Sequence, residues 1–153
     1  MRVVEFLAES NVIVDLTAAD KDGVLTEIAT VISAGAGTDA SALARALWAR
    51  EKTGSTAIGE GVAIPHGRVS TVPGIIGCFA RSRAGVPFEA RDGKPSQLFF
   101  ALVAPEASAA QYLKALACVA GIFKKGTVRD RLLSATSRSE IYAILTTEES
   151  ANG

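Results

Sequence analysis

Histidine occurs once in this chain and cysteine twice. One imidazole and two distant thiols, Cys78 and Cys118, cannot assemble a Cys/His zinc cluster, so no metal is expected. With no partner motif, both cysteines read as buried apolar fillers. No stretch reaches the roughly 20 apolar residues of a membrane span, and no membrane insertion is expected. The opening Met1-Arg2-Val3-Val4-Glu5-Phe6-Leu7-Ala8-Glu9 carries an acid early and is too short for a secretory leader, which points to a cytoplasmic location. There is no excess of either charge: sixteen basic residues offset sixteen acidic ones, against a broad nucleic-acid footprint. Gly-x-Ser-x-Gly is missing, which removes the nucleophile elbow of a triad hydrolase. Gly54-Ser55-Thr56-Ala57-Ile58-Gly59 starts like a phosphate loop but continues Glu60-Gly61. The lysine and hydroxyl needed for nucleotide hydrolysis are absent, and no cofactor is implied.

What remains is an ordinary globular composition, 48% hydrophobic and 21% charged, over 153 residues. We find no repeat, low-complexity tract or linker, so residues 1–153 read as one domain. Val3 to Ala8 reads as a short opening helix and Val12 to Leu16 as a strand. Asp20 caps a helix with Val24, Ile28, Val31 and Ile32 inward, and Asp39 starts another with Leu43, Leu47 and Trp48 inward, fraying near Lys52 and ended by Gly54. Ser55 to Ile58 and Val62 to Ile64 are extended around a bend or bulge at Gly59-Glu60-Gly61. Ile75 to Arg81 and Leu98 to Val103 are strands, with a short one over Pro87 to Ala90. The turn Arg91-Asp92-Gly93-Lys94 leads into the second. Too few residues separate these strands for a helical crossover, so they pair antiparallel. Ser108 caps a long helix with Leu113, Leu116, Ala117, Ala120 and Phe123 on one face, stopped by Gly126. Thr127 opens a short helix through Leu133. Ser137-Arg138-Ser139-Glu140 fits a capping box before Ile141, Ile144 and Leu145. The expected class is α/β: a mixed, partly antiparallel sheet flanked by helices on both sides.

The lone histidine, His66, lies between Pro65 and Gly67 at the end of an apolar run. Proline stiffens this segment, and glycine admits a sharp turn and the approach of a tetrahedral group to backbone amides. A neutral imidazole offers a nucleophilic lone pair near pH 7. Arg50, at a helix end just upstream, can offer a planar fork to phosphate oxygens. Arg68 adds positive potential, while Glu51 and Glu60 read as surface charges. Ile58, Ile64 and Val69 are candidates for the apolar centre of a docking surface around His66.

Arg50-Glu51-Lys52-x-Gly54-Ser55-Thr56-x-Ile58-Gly59-x-Gly61-Val62-Ala63-Ile64-Pro65-His66-Gly67 resembles the signature of enzyme IIA of the phosphoenolpyruvate:sugar phosphotransferase system. The class is that of fructose and mannitol, which includes the nitrogen-regulatory IIA proteins. A chain without a transporter segment is closer to that regulatory branch. The resemblance implies a phosphotransferase component. His66 would accept a phosphoryl group from a small histidine phosphocarrier protein and relay it to a IIB partner, or hold it as a regulatory state. Arg50 would lie beside it, with Ser55, Thr56, Gly59, Gly61 and Gly67 binding or supporting the phosphate. The pattern departs at the start of the long helix, where the family carries a second histidine and this chain has Tyr112. Tyrosine donates one hydrogen bond and carries no positive charge. Two other readings stand beside the relay. One is a signalling-only regulator whose contacts with a kinase or transporter depend on the state of His66, with transfer weakened by Tyr112. The other is a structural domain with a decayed site.

Overall fold

The computed structural model describes residues 1–148. Six strands form one sheet in the order β1-β5-β6-β3-β2, with β4 also paired to β6. The strands are β1 (Val12–Ile13), β2 (Ala57–Gly59), β3 (Val62–Ala63), β4 (His66–Arg68), β5 (Ile76–Val86) and β6 (Ser96–Ala104). The β5–β6 pair is antiparallel, with Ile76 opposite Val103 and Arg81 opposite Leu98. β3 and β4 run parallel to β6, β1 runs parallel to β5, and β2–β3 is antiparallel. The sheet is therefore mixed, as the spacing of its two long strands predicts.

β6 is buried along its whole length except Gln97. Its side chains alternate between the faces, as a pleated strand requires. Leu98, Phe100, Leu102 and Ala104 join the core beneath α3 (Ala109–Phe123), α4 (Gly126–Ser134) and α5 (Arg138–Thr147). Phe99, Ala101 and Val103 join the opposite core beneath α1 (Lys21–Ala36) and α2 (Ala40–Glu51). Cys78 and Cys118 are both buried and unpaired, filling the two cores.

Asp20 caps α1 by accepting the Gly23 N–H at 2.7 Å, and Asp39 accepts from Ser41 at the start of α2. Ser137 caps α5 through the Glu140 N–H, while the Glu140 carboxylate reaches back to Thr136 rather than to the cap itself.

Several boundaries differ from the sequence reading. The opening segment forms two 3-10 turns, Val3–Glu5 and Glu9–Asn11, and β1 is only two residues long. β5 runs on to Val86 through a register shift after Arg81, and residues 87–90 are not a strand. Ser108 makes no side-chain cap, because a 3-10 turn over Glu106–Ser108 leads straight into α3. Gly126 starts α4 rather than stopping α3. The end of α3 is closed by Arg129, which donates to the Phe123 and Lys124 carbonyls at 2.8 and 2.9 Å. The buried face of α3 is Tyr112, Ala115, Cys118, Val119, Ile122 and Phe123, and Leu113 is 64% exposed. This alanine-rich helix is apolar on two adjacent stripes, and the sheet beneath selects the one led by Tyr112.

Candidate functional site

His66 opens β4, opposite Leu102 of β6, so His66 and Gly67 are in extended strand rather than a sharp turn. The imidazole is half-buried. Its Nδ1 lies 2.8 Å from the Ile64 carbonyl oxygen. A carbonyl can only accept, so Nδ1 carries the proton and Nε2 holds the free lone pair. Burial lowers the His66 pKa below the usual 6.5. The Ile64 bond opposes this, the Arg50 charge adds to it, and Glu51 opposes it. The ring is therefore neutral and nucleophilic at pH 7.

The sign of the pH effect follows. Below about 6.5 the unfolded chain takes up the proton first, so the stability this group contributes is present above that value and is lost as pH falls toward the folded pKa. An NMR titration of the His66 ring is expected to give a midpoint below 6.5, and a midpoint at or above it would contradict the burial.

Arg50, in the last turn of α2, donates through Nη1 to the Gly54 carbonyl at 2.8 Å and to Thr53 Oγ1 at 3.2 Å. Its Nη2 and Nε make no hydrogen bond among the described residues and sit in the electrostatic surroundings of His66. The Tyr112 ring lies 5.8 Å from the His66 ring, inclined by 59°. Burial pushes the phenol up to about 12 against the pull of Arg68 and Arg50, so it remains a protonated donor. The Arg68 guanidinium stands 5.4 Å from the centre of the Tyr112 ring, in a cation–π contact. One imidazole, one phenol and two guanidiniums thus converge from β4, α3 and α2.

The remaining residues singled out in the sequence make contacts within the fold. The Ser55 hydroxyl donates to the Phe88 carbonyl and accepts from the Ala57 N–H. The Thr56 hydroxyl donates to Glu51. Both hydroxyl protons are thus engaged within the protein. Gly59 and Gly61 have φ of +90° and +76°, and Glu60 between them has +56°, which forms the tight bend joining β2 to β3. Asp92 closes this bend by accepting the Glu60 N–H at 2.9 Å.

Gly67 has a packing role that its position did not suggest. It is buried, and a Cβ there would stand 3.0 Å from the Ala46 carbonyl oxygen of α2. The missing side chain admits helix α2, and with it Arg50, to the strand that carries His66. Gly67→Ala is expected to lower stability by about 1–3 kcal/mol, because backbone must move. Thermal melting checks this, and an unchanged melting temperature would refute it.

Three expectations fail here. Ile64 and Val69 are 4% and 7% exposed and belong to the cores, leaving Ile58, at 50%, as the exposed member of that trio. Glu51 is not a surface charge: it is 4% exposed, whereas Glu60 is exposed. Sequence reasoning also missed Lys21, whose ammonium pairs with Glu51 at 3.0 Å. The signal for Glu51 was present: Leu43, Leu47 and Glu51 are spaced by four, and the first two face inward.

The sequence model described as phosphoenolpyruvate-dependent sugar phosphotransferase system, EIIA 2, matches residues 5–148. A nitrogen regulatory protein of Bradyrhizobium diazoefficiens is 35% identical over 145 residues, 95% of each chain. The crystal structure of the nitrogen regulatory protein IIA-Ntr of Neisseria meningitidis superposes with a TM-score of 0.89 at 37% identity, covering 94% of this chain and 99% of that one. Mannitol enzyme IIA in complex with phosphorylated enzyme IIB, from Escherichia coli, shares the fold at 22% identity with a TM-score of 0.76, covering 92% and 97%. No helix among the described residues is long and apolar enough to cross a membrane.

Proposed function

We propose that this chain, which belongs to the EIIA 2 family of the phosphoenolpyruvate-dependent sugar phosphotransferase system, carries a phosphoryl group on His66. The donor in this reading is a phosphohistidine on a small carrier protein, and the acceptor is a IIB partner or a regulatory target. The observation that carries the proposal is the Nδ1–H bond to the Ile64 carbonyl, which leaves Nε2 open.

The Nε2 lone pair attacks phosphorus in line, forming the new N–P bond. The bond to the donor nitrogen breaks, and its electron pair returns to the donor imidazole. The phosphorylated His66 ring is then a cation that keeps its Nδ1 proton. Its bond to Ile64 becomes charge-assisted and so stronger. Arg50 and Arg68 supply positive charge toward the three equatorial oxygens. Transfer between two imidazoles of similar basicity needs no metal. Tyr112 stands where the family resemblance places a second histidine. There it offers a neutral donor, so the charge stabilising the phosphoryl group comes from the two arginines alone.

The test is incubation with phosphoenolpyruvate, enzyme I and the carrier, followed by mass spectrometry. Acid-labile phosphate on Nε2 of His66 is the expected product, and its absence defeats the relay.

The regulator reading draws on the names of the relatives, two of which are nitrogen regulatory proteins aligned over nearly their whole length. About two negative charges added to one ring are enough to recruit or repel a partner. Pull-downs with wild type, His66→Ala and His66→Asp separate the two readings. Identical partners for all three would exclude a switch.

A further inference from the structure

The proposed reaction does not use the buried Glu51 carboxylate, which pairs with the half-buried Lys21, itself also 3.2 Å from the exposed Glu89. The Glu51 side chain is 1% exposed and Lys21 is 11% exposed, with 3.0 Å between charged atoms. Glu51 ends α2 and Lys21 begins α1, so the pair joins two helices on one face of the sheet. Glu51 accepts the Thr56 N–H at 2.9 Å and also the Thr56 hydroxyl. The Thr56 carbonyl accepts the Ile64 N–H at 3.0 Å. The Ile64 carbonyl accepts the His66 Nδ1–H at 2.8 Å. One continuous series of hydrogen bonds thus runs from the carboxylate to the ring. The same segment also presents the Gly54 carbonyl that holds Arg50 at 2.8 Å.

A buried carboxylate is a poor means of stabilising this packing. Replacing a buried ion pair by apolar residues of similar size is often neutral or stabilising. Leucine occupies the two preceding inward positions of α2, at Leu43 and Leu47. What a leucine at 51 could not do is hold the Thr56 backbone and hydroxyl. The Ile64 carbonyl precedes Pro65, so its peptide unit has no N–H of its own to orient it. Two hydrogen bonds flank it in the chain: the Ile64 N–H donates to the Thr56 carbonyl, and the Pro65 carbonyl accepts the Leu102 N–H of β6 at 2.9 Å, so Thr56 holds the upstream side of this carbonyl and β6 the downstream side.

We infer that Glu51 is a positioning residue for phosphoryl transfer: anchored by Lys21, it fixes Thr56, and through Ile64 it holds His66 in the Nδ1–H tautomer with Nε2 open and Arg50 alongside. This rests on His66 being the phosphoryl acceptor.

The test uses the full chain, labelled with 15N, as wild type, Glu51→Gln and Thr56→Val. Long-range 1H–15N spectra read the ring tautomer with no phosphate present. Single-turnover transfer from the phosphorylated carrier then reads the rate. Wild type is expected to be the Nδ1–H form. Both variants are expected to show mixed tautomers and a transfer rate lower by roughly tenfold or more, with carrier affinity unchanged. Folded variants that keep the wild-type tautomer and rate would overturn the inference and leave Glu51 a scaffold residue. Should Glu51→Gln fail to fold, Thr56→Val, which retains the ion pair, tests the same link. If wild type accepts no phosphate, the acceptor reading falls, while the tautomer still decides whether Glu51 sets the ring.

Discussion

His66→Gln is expected to abolish phosphoryl acceptance while leaving the fold in place. Loss of an attacking group costs an enzyme up to roughly a millionfold in rate, which here means no detectable product. The chain has no second imidazole to take over. Tyr112, beside it, is no substitute, since burial holds its phenol protonated with a pKa of about 12. Glutamine can retain a donor toward the Ile64 carbonyl, and the ring it replaces is only half-buried. The stability loss should therefore stay near about 1 kcal/mol, the worth of one hydrogen bond. Mass spectrometry and thermal melting on the same sample separate the two effects. Acid-labile phosphate surviving in the variant would place the acceptor elsewhere.

Arg81→Met is expected to give the largest loss of stability among the substitutions considered, far from the imidazole. The Arg81 side chain is fully buried in the middle of the sheet. It donates to the Val14 carbonyl at 3.1 Å, to Leu132 at 2.8 Å and to Ala135 at 2.7 Å. The last two acceptors lie at the C-terminal end of α4, where helix carbonyls are short of donors and a cation is favoured. Its nearest carboxylate, Asp15, is 3.6 Å away and 64% exposed, so carbonyl dipoles compensate much of the charge. Methionine fills similar space but takes the donor from the buried Leu132 carbonyl and the half-buried Val14 carbonyl, and leaves Ala135 only the longer Arg83 contact at 3.4 Å, at a cost of about 3–5 kcal/mol. At roughly 2–4 °C per kcal/mol for a domain of this size, the melting temperature should fall by about 10 °C. A fall of only a degree or two would mean that water reaches these carbonyls. Phosphoryl acceptance by the surviving folded fraction should remain.

The two substitutions also mark where the sequence was readable. His66 was legible because most of its chemical neighbours are neighbours in the chain: Arg50 to Arg68 carry the imidazole, the guanidiniums and the bend within nineteen consecutive positions. The antiparallel β5–β6 pair was legible because residues 87–95 are too short for a crossover helix. Arg81 was not legible. It sits in an apolar strand, and its acceptors are Val14, far upstream, and a helix end about fifty residues further on, which no local pattern connects to it. Tyr112 was legible as a departure from a family pattern. Its ring contact with His66 depends on which of two apolar stripes of α3 meets the sheet.

By itself the sequence determined the alternation of helices and strands, the mixed sheet covered on both faces, and the segment that holds His66, since periodicity, caps and turn residues act over a few positions. Only the tertiary structure decided which nitrogen of His66 is free, that Gly67 makes room for α2, that Ser55 and Thr56 face inward, and that Glu51 is buried against Lys21. These features depend on where a carbonyl points or a helix rests after distant segments have packed, and burial then sets the hydrogen bonds and charges that each side chain can keep.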